Sequence, residues 1–318
     1  MTQIEWQASQ TGACLIPLQN RSLIEISGPE RGSFLQGIFS QDTAKNFPVG
    51  TVKYGIFPTV KGKIFADAYV YHLDQNRFVV DVERFVVEKL IKHLEQFLIM
   101  TKAEVKWIGG FARFSLFGPA ATTLLPTVPA ENQCEMRDEI ITAVVARNGL
   151  KEIQLWVDSQ KAADFANRLQ QQAGAILGNA ELYDLIQIES QIPKLGRDMD
   201  ETTYPQEVGL LEALDFQKGC FLGAEVLQHI HYRGRVNRTL ALFSLDAESP
   251  VPAGIPIQKN GEEIGKVTAS AFSYRWNKPV ALALVKIVAL DTPGAFTLSS
   301  EADAIPLALL PTPELLKK

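Results

Sequence analysis

The chain has 318 residues, 46% of them hydrophobic and 21% charged, with a formal net charge of −5. That is an ordinary globular composition with apolar material for about two domains, and the acidic balance argues against a protein that works by blanketing nucleic acid, which leaves a basic imprint. No apolar run approaches the roughly 18 residues of a membrane span.

The N-terminus, Met1 to Trp6, lacks the basic residues and apolar stretch of a secretory signal. Cys14, Cys134 and Cys220 are an odd count at wide spacings, with no CxxC pair. No disulfide framework is suggested, and the reading is a reducing cytoplasm. His229 and His231 are the one close histidine pair; residues two apart diverge on a helix but share a face on a strand. A self-contained zinc or iron–sulfur site is not expected.

In chain order, Cys14 to Ile26 holds two short apolar runs around Gln19-Asn20-Arg21, expected as a hairpin or a pair of edge strands. Ser27-Gly28-Pro29-Glu30 is expected to open a helix with Ser27 or Gly28 as cap, its apolar face made by Phe34, Leu35 and Ile38. Lys53 to Phe57 and Lys63 to Tyr71 read as strands flanking the Thr59-Val60-Lys61-Gly62 turn, and Arg77 to Val82 as another. Glu83 to Ile99 carries the helical spacing of Val86, Val87, Leu90, Ile91, Leu94, Phe97 and Leu98. Three strands and then a helix is an α+β order.

A second round follows. Phe111 to Phe117, Ile140 to Ala146 and Ile153 to Val157 read as strands. Asp158 to Ala173 reads as a helix capped by Asp158 or Ser159, and Glu181 to Glu189 as another, stopped by Pro193. Beyond Arg238, short apolar segments alternate with Pro, Gly and Asn; Asn260-Gly261 is a tight-hairpin signal. A small all-β barrel or sandwich is expected there, ending in a loose tail from Pro311.

The passage with most chemical content runs from Lys218 to Arg238. It sets one thiol, Cys220, between Gly219 and Gly223 and beside Lys218. A nearby ammonium or a helix N-terminus after Gly223 would raise the thiolate fraction, and the glycines permit positive φ or close approach. His231, Arg233, Arg235 and Arg238 follow as an anion-recognising strip. Equally, a lone cysteine is commonly packing and an arginine run a solvated face. The residues alone leave both readings open.

The segment resembles the Lys-Gly-Cys-Tyr-x-Gly-Gln-Glu motif of the YgfZ-type folate-binding proteins. Lys218, Gly219, Cys220, Gly223, Glu225, Arg233, Gly234 and Arg238 match; Phe221, Ala224, His229 and Asn237 depart. Upstream, Tyr204-Pro205-Gln206-Glu207-Val208-Gly209-Leu210 resembles the same family. In the related glycine-cleavage aminomethyltransferases a glutamate at the Glu207 position binds the pterin ring, and a carboxylate suits the two parallel N–H donors of an aminopyrimidine. Phe34 to Asp42 and Lys61 to Asp67 resemble the family's first helix and its Gly-Lys turn and strand. Where true aminomethyltransferases carry Asp-Asp, this chain has Ala66-Asp67.

The resemblance implies an α+β, aminomethyltransferase-like (T-protein-like) fold: two ferredoxin-like subdomains enclosing a channel and a C-terminal β-barrel, divided at 1–100, 101–238 and 239–318. It implies a folate-binding accessory protein, holding tetrahydrofolate or a derivative, that supports iron–sulfur client proteins and through them tRNA-modifying enzymes. Cys220, with Lys218 and Asp67, would be the working groups; Glu207, Arg233, Arg238, Gly219 and Gly223 would shape the folate site. One rival is a folate-dependent one-carbon transferase or demethylase using Asp67. The other is a scaffold binding tRNA or a partner through His231, Arg233 and Arg235.

Overall fold

The computed structural model describes residues 2–299 and 304–311, apart from the side chains of 172 and 173. The expected loose tail lies, from residue 312 on, outside the described residues. The chain divides into two compact units, one made of Met1–Lys61, Phe65–Tyr183 and Glu212–Ala224, the other of Gly62–Ile64, Asp184–Leu211 and Glu225–Lys318.

The first unit is built on eleven strands: β1 (Cys14–Leu18), β2 (Arg21–Ser27), β3 (Thr51–Pro58), β4 (Ile64–Asp74), β5 (Arg77–Glu83), β6 (Glu104–Ile108), β7 (Phe111–Phe117), β8 (Gln133–Arg137), β9 (Ile140–Arg147), β10 (Leu150–Asp158) and β11 (Ile176–Leu177). They form one sheet in the order β11-β1-β7-β10-β9-β8-β3-β4-β5-β2-β6. Four helices accompany them: α1 (Gln3–Thr11), α2 (Arg31–Ile38), α3 (Val87–Glu95) and α4 (Ala162–Ala173).

The run β2-α2-β4-β5-α3-β6, with sheet order β4-β5-β2-β6, is the ferredoxin-like arrangement expected from sequence. In the second half β7, β9, β10 and α4 repeat it, and β1, arriving from the N-terminus, lies antiparallel to β7 in the fourth position. The expected N-terminal hairpin is therefore corrected. β1 and β2 never pair; β1 joins β7 and β11 while β2 joins β5 and β6, and neither is an edge. Two adjacent apolar runs look alike in sequence whether they pair with each other or with distant partners.

Alternation along β9 and β10 shows why these strands read as continuous apolar runs. Val144, Ile153, Leu155 and Val157 face a core that includes Phe165 and Leu169 of α4. Ile141, Ala143, Val145 and Trp156 point the other way, against Leu23, Val52, Tyr69 and Tyr71. Successive strand residues take opposite faces, and both are buried.

A charged network is embedded in this unit. Asp81 receives Arg21 at 2.7 Å and Arg113 at 3.3 Å, and Arg113 also reaches Glu152 at 2.8 Å. The single Tyr71 hydroxyl proton lies between two acceptors, Gln154 Oε1 at 2.6 Å and Asp81 Oδ2 at 3.1 Å. Arg113 and Asp81 are almost completely buried, so each charge depends on its partners for the solvation water would supply.

Helix boundaries depart from the sequence reading. α2 starts at Arg31 rather than at Pro29, because Glu30 occupies the cap position and turns its carboxylate to the Lys102 amide. α4 starts at Ala162: Asp158 closes a local turn on Gln160 instead of capping the helix. The helix expected over 83–99 is a 3-10 turn, Arg84–Val86, followed by the shorter α3. The short strands β6 and β8 were not foreseen, since their half-exposed sequences carry little apolar signal.

In the second unit, β12 (Arg238–Leu245), β13 (Pro256–Lys259), β14 (Glu262–Ser273), β15 (Lys278–Lys286), β16 (Phe296–Leu298) and β17 (Ile305–Leu309) close into a barrel in the order β12-β15-β14-β13-β16-β17. Phe243, Ile257, Val267, Ala283, Val285 and Leu298 fill it. The expected Asn260-Gly261 hairpin joins β13 to β14, with φ of 53° and 81° as a tight turn requires. The remaining helices are α5 (Ala180–Glu189), α6 (Ala224–Arg233) and α7 (Ile287–Asp291). Among the described residues no helix is long and apolar enough to cross a membrane.

Candidate functional site

The Lys-Gly-Cys loop of the first unit is seated on α2. Phe34, Leu35 and Ile38 anchor that helix in the core, and its C-terminal end presents carbonyls without helical partners. The Lys218 ammonium fills them: its Nζ donates to the carbonyls of Gln36 at 2.8 Å, Phe39 at 2.5 Å and Gln41 at 2.9 Å. The Leu222 amide donates to the Gly37 carbonyl at 2.9 Å, and the Gln36 amide group donates to the Lys218 carbonyl and to Asp42. Asp42 in turn accepts the backbone amides of Ala44, Lys45 and Asn46. Two segments about 180 positions apart thus form one lock.

Burial pushes the Lys218 amine down to about 8, although Asp42 and Asp215 pull it upward. All three of its protons have carbonyl acceptors, so the residue expected to tune the thiol acts here as a clamp. Within the clamped loop Cys220 is exposed, whereas Cys14 and Cys134 are buried and their thiols are pushed up to about 12 by that burial. Gly219, with φ of 95°, and Gly223, with φ of 73°, turn the chain into and out of the cysteine. Those angles are costly for any residue with a Cβ.

Also in the first unit, Asp67 on β4 is buried. Tyr54 of β3 donates to its Oδ2 at 3.0 Å, and Oδ1 has no hydrogen-bond partner. Burial pushes the Tyr54 hydroxyl well up, which keeps it a donor. The Arg147 guanidinium, at the end of β9, lies 3.7 Å from the centre of the Tyr54 ring.

In the second unit Glu207 sits in the 3-10 turn Pro205–Val208 and is buried. Its Oε2 accepts the Tyr204 amide at 2.8 Å, and Arg238 grips it with Nε to Oε1 at 2.9 Å and Nη2 to Oε2 at 3.2 Å. The guanidinium offers Glu207 the same planar pair of donors that an aminopyrimidine would. Lys63 stands 3.1 Å over the Tyr204 ring; burial lowers its pKa, with Glu207 raising and Arg238 lowering it further. Arg233, the last residue of α6, is exposed, as are His231 and Arg235.

Cys220, Lys218, Gly219, Gly223 and Asp67 therefore belong to the first unit, and Glu207, Arg233 and Arg238 to the second. The described residues contain no group of three or more His, Cys, Asp or Glu placed to hold a metal ion. Sequence reasoning did not single out Tyr54 or Arg147. Arg147 closes an otherwise apolar strand, and a basic residue in that position was the available signal.

Residues 1–218 match the family model described as the GCVT N-terminal domain, and residues 238–313 match the glycine cleavage T-protein C-terminal barrel domain. The chain belongs to this family. It is similar to the aminomethyltransferase of Thermotoga petrophila, 27% identical over 275 residues that cover 82% of this chain and 74% of that protein. It is also similar to the mitochondrial iron-sulfur cluster assembly factor IBA57 homolog of Aspergillus oryzae, 23% identical over 303 residues, 84% of this chain and 66% of that one. The solved glycine cleavage system aminomethyltransferase T from Bartonella henselae superposes with a TM-score of 0.87 at 19% identity, over 98% of this chain and 88% of that chain. The fold is the T-protein fold.

Proposed function

We propose that this chain is a folate-binding accessory factor of the YgfZ type, which supports assembly or repair of iron–sulfur proteins and, through them, tRNA modification. The observation that carries this reading is the Cys220 loop: Lys218 and Leu222, on either side of the thiol, are bonded to α2 and its C-terminal end, while the thiol itself is exposed. A rigid, accessible thiol suits a nucleophile, a redox group or a transient ligand. One thiol cannot hold a cluster alone, so further ligands would come from the client or a small thiol.

The second unit's residues fit a folate: Glu207 is a buried carboxylate that retains acceptor capacity beyond its three donors. Bound folate would supply one-carbon chemistry at its pterin, and in the second unit Glu207 and Arg238 would hold it. Lys218 holds the loop and is not itself a reacting group.

Calorimetry with 5-formyltetrahydrofolate is expected to show binding, and no heat at high micromolar ligand would count against the folate reading. Cys220→Ala is expected to retain folate binding yet to fail to restore iron–sulfur enzyme activity in a strain lacking this gene. Full restoration would show that the exposed thiol is not required. The buried Asp67 oxygen favours a second reading, a folate-dependent one-carbon transferase. Sustained turnover of an N-methyl or aminomethyl donor that Asp67→Asn abolishes would establish it over the first.

A further inference from the structure

The first unit contains a cleft of about 380 Å³ beside the Tyr54–Asp67 hydrogen bond. Its walls include Gln41, Lys53, Tyr54, Asn132, Arg147 and Glu212, and its size is at the small end of ligand pockets. Arg147 is only 7% exposed, and its Nε has no hydrogen-bond partner. Glu212 Oε1 stands 3.6 Å from that Nε, too far for a hydrogen bond, and the Asp67 and Glu212 carboxylates both act on the guanidinium through space. Stacked against Tyr54, the guanidinium keeps its N–H edge in its own plane, the geometry for gripping a carboxylate. A buried donor left without an acceptor is costly, and a ligand that supplies one is favoured by the same amount.

The surrounding charges choose among ligands. A simple anion would meet Arg147 and Lys53 but also the Glu212 carboxylate. A simple cation would meet Glu212 and be repelled by the other two. A molecule bearing carboxylate and ammonium on one carbon satisfies both signs at once. The side chain of Glu212 is 42% exposed, so it can turn toward an ammonium without breaking a core contact. The amide side chains of Gln41 and Asn132 add neutral hydrogen-bonding groups to the wall.

We propose that this cleft binds a small free α-amino acid, its carboxylate on Arg147 and its ammonium on Glu212. The site stands on first-unit residues alone and does not depend on folate.

The test is calorimetry and thermal shift of the full chain with the common α-amino acids, using acetate and methylamine as single-charge controls. At least one amino acid is expected to bind with a Kd of about 1 mM or tighter, and both controls about tenfold more weakly or worse. Glu212→Gln, at a side chain 42% exposed, is expected to weaken the amino acid about tenfold and to leave acetate bound as tightly as before or more tightly. Arg147→Lys is expected to weaken both amino acid and acetate. No amino acid binding up to about 10 mM, or Glu212→Gln binding as tightly as wild type, overturns the proposal. Because 5-formyltetrahydrofolate is titrated separately, failure of folate binding leaves this result standing, and the reverse.

Discussion

Lys218 is the residue whose role changes most between sequence and structure. Beside a cysteine it reads as an electrostatic partner of the thiol; in three dimensions its ammonium closes the carbonyls of Gln36, Phe39 and Gln41. Replacing it by methionine strands those acceptors at the end of α2. Lys218→Met is expected to lower stability by about 2–3 kcal/mol, the penalty of unfilled, partly buried acceptors, read as a shift of the urea midpoint. A shift equivalent to less than about 0.5 kcal/mol would mean the clamp is not made in solution. Glu207 shows the same effect in the second unit. Its spacing in a Pro-Gly-framed turn was legible, but that Arg238 grips it, 31 positions later, was not, because an ion pair between distant residues leaves no periodic trace.

At the scale of elements, strand identity was mostly readable and strand partnership was not. β3, β4, β5, β7, β9, β10 and the main barrel strands carry the β-branched and aromatic runs that mark them, whereas the placement of β1 beside β7 depends on contacts about 100 residues apart. The buried charges follow the same division. Arg113 in Phe111-Ala112-Arg113-Phe114 reads as the polar face of a half-exposed strand, yet it meets Asp81 and Glu152 inside the unit. Arg113→Met is expected to cost about 3–5 kcal/mol, because it leaves two carboxylates buried with fewer partners. Pairing it with Asp81→Asn and Glu152→Gln should recover part of that loss in a denaturation series. No recovery would show that the single mutant fails through packing, not charge.

For the whole molecule, the carboxylates set the acid limit. In Glu25 and Asp74 burial alone would raise the pKa, but contacts from Lys106 and Arg77 in the first and from the Asn76 amide and Arg77 in the second outweigh it. Three backbone amides do the same for Asp42, and the Thr202 hydroxyl leads for Asp200. All four sit below ordinary values of 3.8 for Asp and 4.5 for Glu. The folded state therefore binds these protons less readily than the unfolded chain. Their stabilisation is complete above the unfolded values and disappears as the pH falls through the lower folded ones. Urea midpoints are expected to be level in this respect from pH 7 to about 5 and to fall steeply below about 4. Asp42→Asn should flatten part of that fall.

What the sequence determined by itself was local: an α+β order followed by a short-stranded barrel, the glycine-bracketed cysteine, and the motifs that carry the family resemblance. These are legible because side-chain period, turn chemistry and motif spacing act between neighbours in the chain. Only the tertiary structure decided what those neighbours face. It set the Lys218 ammonium on the carbonyls at the end of α2, left Cys220 exposed while Cys14 and Cys134 went into the core, and stacked Arg147 on Tyr54 beside Glu212. Burial and charge pairing arise when distant segments exclude water together, and no single stretch of chain contains that information.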